Sequence, residues 1–241
     1  RRHQIAHVAL CAQANAAVTA RCGDTLVLAT VVSSDPVEGL DYFPLQVEYQ
    51  EKYYAGGMIT SNRFIKREGR PSENEILTGR VIDRSIRPLF PDHYRDSVQV
   101  IVNPLSIDGI NEPEILGVIA TSAAIAISNI PWNGPIGSLR IGMDKDGKLI
   151  ANPTNEEKTN SKLDLVVSGP TGQLSMVEAG SNEVTEEEMS NALKFGQDSV
   201  TSIANQISNF AKEVGKTKRE VAEYKVDPEL VKLVKEELGN L

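Results

Sequence analysis

The sequence has little of what disulfide-, metal- or membrane-dependent proteins need. Its 241 residues include two cysteines, Cys11 and Cys22. They give neither a disulfide framework nor a ligand spacing, and read as free or buried thiols of a reducing cytoplasm. The three histidines, His3, His7 and His93, show no metal spacing. No apolar run approaches the roughly 20 residues that cross a bilayer, and no secretory signal pattern is present, so no membrane partner is expected. There is no P-loop, no GxGxxG and no nucleophile elbow with Ser-His-Asp partners; Gly56-Gly57 reads as a simple turn. Basic residues are also scarce, 25 Lys and Arg against 33 Asp and Glu.

Against that acidic background one segment stands out. From Arg63 to Arg87 there are seven basic residues (Arg63, Lys66, Arg67, Arg70, Arg80, Arg84, Arg87) and four acidic ones (Glu68, Glu73, Glu75, Asp83). Concentrated Lys and Arg attract phosphates and displace their counterions, so a polyanion is the first candidate partner. Ser72-Glu73-Asn74-Glu75 is a capping box and starts a helix that Pro88 stops. On that helix Arg80, Arg84 and Arg87 share one face with Ile76 and Leu77, so these arginines are expected not to be simply solvated. They either pair with carboxylates in the core or line an RNA path. Ahead of the helix, Phe64 to Arg70 has no period and is broken by Gly69 and Pro71. It reads as a loop in which Lys66, Arg67 and Arg70 offer charge and Phe64 a ring, the pairing suited to single-stranded nucleic acid.

With apolar residues at 40% the chain can bury a real core, and its length suits one large domain or a domain with an appendage. Strands are expected at Ala16 to Cys22 and Thr25 to Val32 around a Gly23-Asp24 hairpin turn. Others are expected at Leu45 to Tyr49, Val98 to Val102, Ile136 to Met143, Leu149 to Ala151, Leu163 to Val167 and Leu174 to Glu178. Glu114 to Ser128, apolar on nearly every side, reads as a buried helix. Thr185-Glu186-Glu187-Glu188 caps a long helix with a stripe from Leu193 to Val214, stopped by Gly215. A charged linker from Lys216 to Lys225 then leads to a helix over Pro228 to Leu238. Mixed strands with layered helices make an α+β protein. The chain opens at Arg1 and closes inside an expected helix, and is expected to be a piece of a longer one.

The run KREGRPSENEILTGRVIDRSIRPLF resembles the first core domain of bacterial polynucleotide phosphorylases. So do, in order, GDTLVLATVV, DYFPLQVEYQEKYYAGG, IPWNGPIG and SKLDLVVSG. The resemblance implies an RNase PH-like core, similar to the second domain of a ribosomal protein, over residues 1–215, and the start of an all-helical linker domain over 216–241. It implies degradation of RNA from the 3′ end by phosphorolysis, with inorganic phosphate as co-substrate, nucleoside diphosphates as products, Mg2+ as cofactor and a homotrimeric ring in the cytoplasm.

In that family the second core, which would follow this one, holds phosphate at a helix start and metal through a D-x(5)-D-x-K motif. The equivalent helix here opens Glu112-Pro113-Glu114, which suits the helix dipole but repels phosphate. The motif reads Lys158-x(5)-Asp164-x-Val166, with one carboxylate left and no lysine. No catalytic residue and no metal ligand are therefore expected in this chain. The expectation is a non-catalytic half that binds single-stranded RNA and builds the ring. A stand-alone RNA-binding or scaffold module and an autonomous RNase PH-type exoribonuclease are the alternatives.

Overall fold

The structure is a computed structural model describing residues 3–8, 11–37, 39–59, 69–221 and 228–239. It is α+β, with two sheets and helices layered against them. The first sheet is formed by β1 (Gln4–His7), β2 (Ala16–Cys22), β3 (Thr25–Ser34), β4 (Leu45–Tyr49) and β5 (Ser97–Ser106), in the order β1-β2-β3-β5-β4. Only the β4–β5 pair is parallel. The second sheet is antiparallel, in the order β7-β6-β8-β9, from β6 (Gly137–Met143), β7 (Leu149–Ala151), β8 (Leu163–Gly169) and β9 (Met176–Ser181). The helices are α1 (Glu73–Ile86), α2 (Pro113–Ile127), α3 (Asn155–Thr159), α4 (Glu186–Val214) and α5 (Pro228–Leu238). No helix among the described residues is long and apolar enough to cross a membrane.

Local chemistry sets these elements. The β2–β3 hairpin turns at Gly23, whose φ of +61° suits glycine. A Cβ there would also meet the Asn111 side-chain amide at 2.6 Å. β5 runs beyond the expected Val98 to Val102, because pairing with β3 continues through a bulge at Leu26/Val27 opposite Pro104. Proline has no N–H to give the ladder, and a bulge accommodates it. The capping boxes at Ser72 and Thr185 are both formed. A third, Thr154 with Glu157, opens α3.

The buried helix α2 organises the whole. Its residues from Ile115 to Ile125 are all buried, between the first sheet on one side and α4 and β6 on the other. The Ser122 hydroxyl donates to the Ile136 carbonyl at 2.7 Å and accepts the Ile136 amide at 2.9 Å, fixing the entry into β6. α1 lies against β4, joined to β8 by a buried Ser168–Ser85 hydroxyl pair at 2.7 Å. Helix α4 covers β6 and β8 and comes unusually close at two glycines. A Cβ on Gly196 would sit 2.8 Å from Val167 Cγ2, and one on Gly137 would sit 2.3 Å from the Val200 carbonyl oxygen.

Backbone cannot yield as a side chain can, so Gly137 is the stricter requirement. Gly137→Ala should destabilise the protein by about 2–3 kcal/mol, the upper part of the overpacking range. Urea unfolding of the variant would read this as a lowered midpoint at unchanged slope.

Candidate nucleic-acid interface and a closed ion-pair cluster

Helix α1 buries Thr78, Gly79, Ile82, Ser85 and Ile86. That phase turns Ile76 and Leu77 outward, 55% and 56% exposed, and the arginines with them. Arg80, Arg84 and Arg87, expected not to be simply solvated, all lie at the surface, and the buried face of the helix is Thr78, Gly79, Ile82, Ser85 and Ile86 rather than the side of Ile76 and Leu77. Arg84 pairs with Glu178 at 3.2 Å at the surface. Arg87 is held by Asp83, with Nη2 at 2.6 Å from Oδ2, and also donates to the Leu45 carbonyl at 3.2 Å. The Asp83 hydrogen bonds push the Arg87 guanidinium further up, against its burial. Arg80 lies exposed along the groove between α1 and β4.

Phe64, Lys66 and Arg67 lie outside the described residues. Arg70 is described and exposed, at the rim of a cleft of about 360 Å³. Across the cleft stand Lys52, Tyr53 and Met58, from a 3-10 turn over Tyr53–Gly56 and its flanks. Tyr53 and Tyr54 are 46% and 56% exposed. Glu75 closes the cleft floor by accepting the Ser72 and Glu51 amides. Burial pushes its carboxyl up, but these hydrogen bonds outweigh burial and hold it below its ordinary value. Tyr53 was missed in the sequence, although adjacent tyrosines after Lys52 are a legible sign of an aromatic surface beside charge.

The second feature is a cluster at the N-terminus of α2. Arg140, on β6 and only 9% exposed in its side chain, reaches Glu112 at 2.9 Å, Glu114 at 2.8 Å and Asp164 at 3.6 Å. Lys158, from α3, reaches Glu112 at 2.8 Å and Asp164 at 3.8 Å. Three carboxylates are thus shared by two cations. Burial pushes the Glu114 carboxyl up; Arg140 pulls it down and Glu112 pushes it up again. The adjoining cavity, lined by His3, Cys22, Asn111, Glu112, Arg140 and Asn152, measures only about 20 Å³, room for one water. Arg140 was not singled out in the sequence. Its signal was a lone charge in a strand buried along its length, which demands counter-charges.

These carboxylates do not fit a magnesium ion, since Arg140 and Lys158 already neutralise them. Among the described residues no group of three His, Cys, Asp or Glu could hold a metal.

Residues 1–131 match domain 1 of the 3′ exoribonuclease family, and residues 134–199 match its domain 2. A polyribonucleotide nucleotidyltransferase of Koribacter versatilis is 48% identical over 231 residues, covering 95% of this chain and 28% of that protein. One from Alkaliphilus oremlandii is 49% identical over 214 residues, covering 88% and 30%. The chain therefore spans about three-tenths of the length of these curated relatives. Rice (Oryza sativa) Rrp46 shares the fold, with a TM-score of 0.67 at 18% identity over 88% of this chain and 93% of that one.

Breaking a buried pair leaves uncompensated charge, so Arg140→Met should cost about 3 kcal/mol or more. It also removes the charge that pulls Glu114 down. The folded-state carboxyl then lies further above its ordinary value of 4.5. A folded pKa above the unfolded one means that the native state binds the proton more readily, so the deficit should shrink as pH falls from neutral towards that value. Urea midpoints of wild type and variant across that range check both statements.

Proposed function

The chain belongs to the 3′ exoribonuclease family, and we propose that it is the first RNase PH-type core of a polynucleotide phosphorylase, guiding RNA and building the ring. In this reading the whole protein degrades RNA from its 3′ end. Inorganic phosphate attacks the terminal phosphodiester, the bond to the shortened chain breaks, and a nucleoside diphosphate leaves; the reverse reaction polymerises. Residues 1–215 are the core and 216–241 open the helical linker. Magnesium, phosphate and nucleoside diphosphates belong to the second core, the assembly is a homotrimer, and the location is the cytoplasm.

The observation that carries the non-catalytic role is the cluster around Arg140. Its two cations are committed to internal carboxylates, so a phosphate arriving there finds no unpaired positive charge and no room. Support for RNA binding comes from the basic segment of an otherwise acidic chain, with Arg70, Lys52 and Tyr53 around one cleft. Phe64, Lys66 and Arg67 join them in this proposal as stacking ring and phosphate ligands; Arg80, Arg84 and Arg87 are either structural or line the path.

Incubating the purified chain with RNA, phosphate and magnesium should release no nucleoside diphosphate above background. Robust release would overturn the assignment in favour of an autonomous exoribonuclease. For binding, three neutralised phosphates give a log–log salt slope near −2, from about −0.7 per contact on single strands. Lys66→Ala with Arg67→Ala should flatten that slope and weaken all RNA sequences alike. Phe64→Ala should cost about 1–3 kcal/mol at unchanged slope. Unchanged affinity and slope in the double variant would remove the loop from the interface.

A further inference from the structure

The segment 215–221 follows α4 across the carboxyl end of α2, held by a series of donated hydrogen bonds and, at its end, by Val221 packed against the core. The Lys216 amide donates to the Ile127 carbonyl at 2.9 Å and the Arg219 amide to the Asn129 carbonyl at 2.8 Å. The Lys218 ammonium donates to the Ile125 and Ser128 carbonyls at 2.7 and 2.9 Å. Lys216 Nζ reaches the Asn15 carbonyl at 2.7 Å. The Arg219 guanidinium donates to the Ser33 hydroxyl at 2.8 Å and faces Asp96 at 3.5 Å. The last carbonyls of a helix lack intrahelical donors and carry the negative end of its dipole. A row of cations answers both needs.

We propose that this segment is a releasable clasp, closed by the charge of Lys218, that ties the chain leaving α4 to the end of α2. Two properties make it releasable. No residue from Gly215 to Val221 is fully buried, and Val221, partly buried against the core, is its one apolar anchor. Polar contacts near the surface contribute little net, those from charged groups somewhat more, and segments held chiefly in this way open locally before the core does. The hold is concentrated in Lys218, which alone bridges two carbonyls at the end of α2 with one charged group. Burial lowers its ammonium to about 8. Loss of that charge, as by N-acylation, removes the ammonium and leaves a single neutral N–H.

Amide hydrogen exchange of the whole chain tests this without a variant. In wild type the Lys216 and Arg219 amides should exchange at least about tenfold faster than those of Ala120 and Ala123 in the middle of α2. Equal rates would mean that the segment opens only when the protein unfolds, and would overturn the proposal. Lys218→Gln should speed the Lys216 and Arg219 amides by about a further tenfold, leaving Ala120 and Ala123 unchanged. Lys218→Arg, which keeps charge and donors, should stay near wild type. A Lys218→Gln protein that exchanges like wild type, speeds everywhere alike or fails to fold would each overturn the clasp.

Discussion

Everything in this fold is arranged around the cost of burying α2. A helix enclosed along most of its length cannot leave its end groups to water. At the amino end Glu112 and Glu114 sit on the positive end of the dipole. Their own charge is then a problem, which Arg140 solves from β6 and Lys158 from α3. At the carboxyl end Ser128 bonds back to Ile125, and the chain returning from α4 supplies the remaining donors. One buried rod thus recruits groups from the second sheet, from α3 and from the segment after α4.

Charge is arranged differently at the two sites. Around Arg140 opposite charges are close and shielded, although Arg140 Nε and Asp164 Oδ1, 3.6 Å apart, have no hydrogen-bond partner among the described residues. Around Arg70 they are spread over an open cleft with tyrosine rings beside them. An incoming polyanion meets screening in the first place and an accessible cation in the second.

Much of the fold was legible because its signals are local. Capping boxes at Ser72 and Thr185 fixed two helix starts, and the apolar run from Ile115 marked α2 as buried. β1 escaped notice because Gln4–His7 is short, at a sheet edge, with no alternation to read. α3 has a legible cap at Thr154 but only five residues. Expected strand limits at Val102 and Leu174 moved because ladders end where partners end, and partners are distant in sequence. The site followed the same division. Glu112, Glu114 and Asp164 stood out in the sequence, whereas Arg140, which pairs with all three, required the tertiary fold. On α1 the arginine face was correctly grouped with Ile76 and Leu77, but that it turns out follows from the helix's approach to β4 through its other side, which buries Thr78, Gly79, Ile82, Ser85 and Ile86.

That approach bears on how the first sheet meets other chains. In β4 the even-numbered residues bond to β5, from the Pro44 carbonyl to the Gln50 amide, so Leu45, Val47 and Tyr49 face away from the sheet. Arg87 occupies the Leu45 carbonyl, and Gly79 brings α1 over the Val47 carbonyl and Tyr49 amide. An added strand would have to displace the helix. Growth of this sheet is therefore one-ended: a neighbour that extends it by backbone pairing must do so at β1.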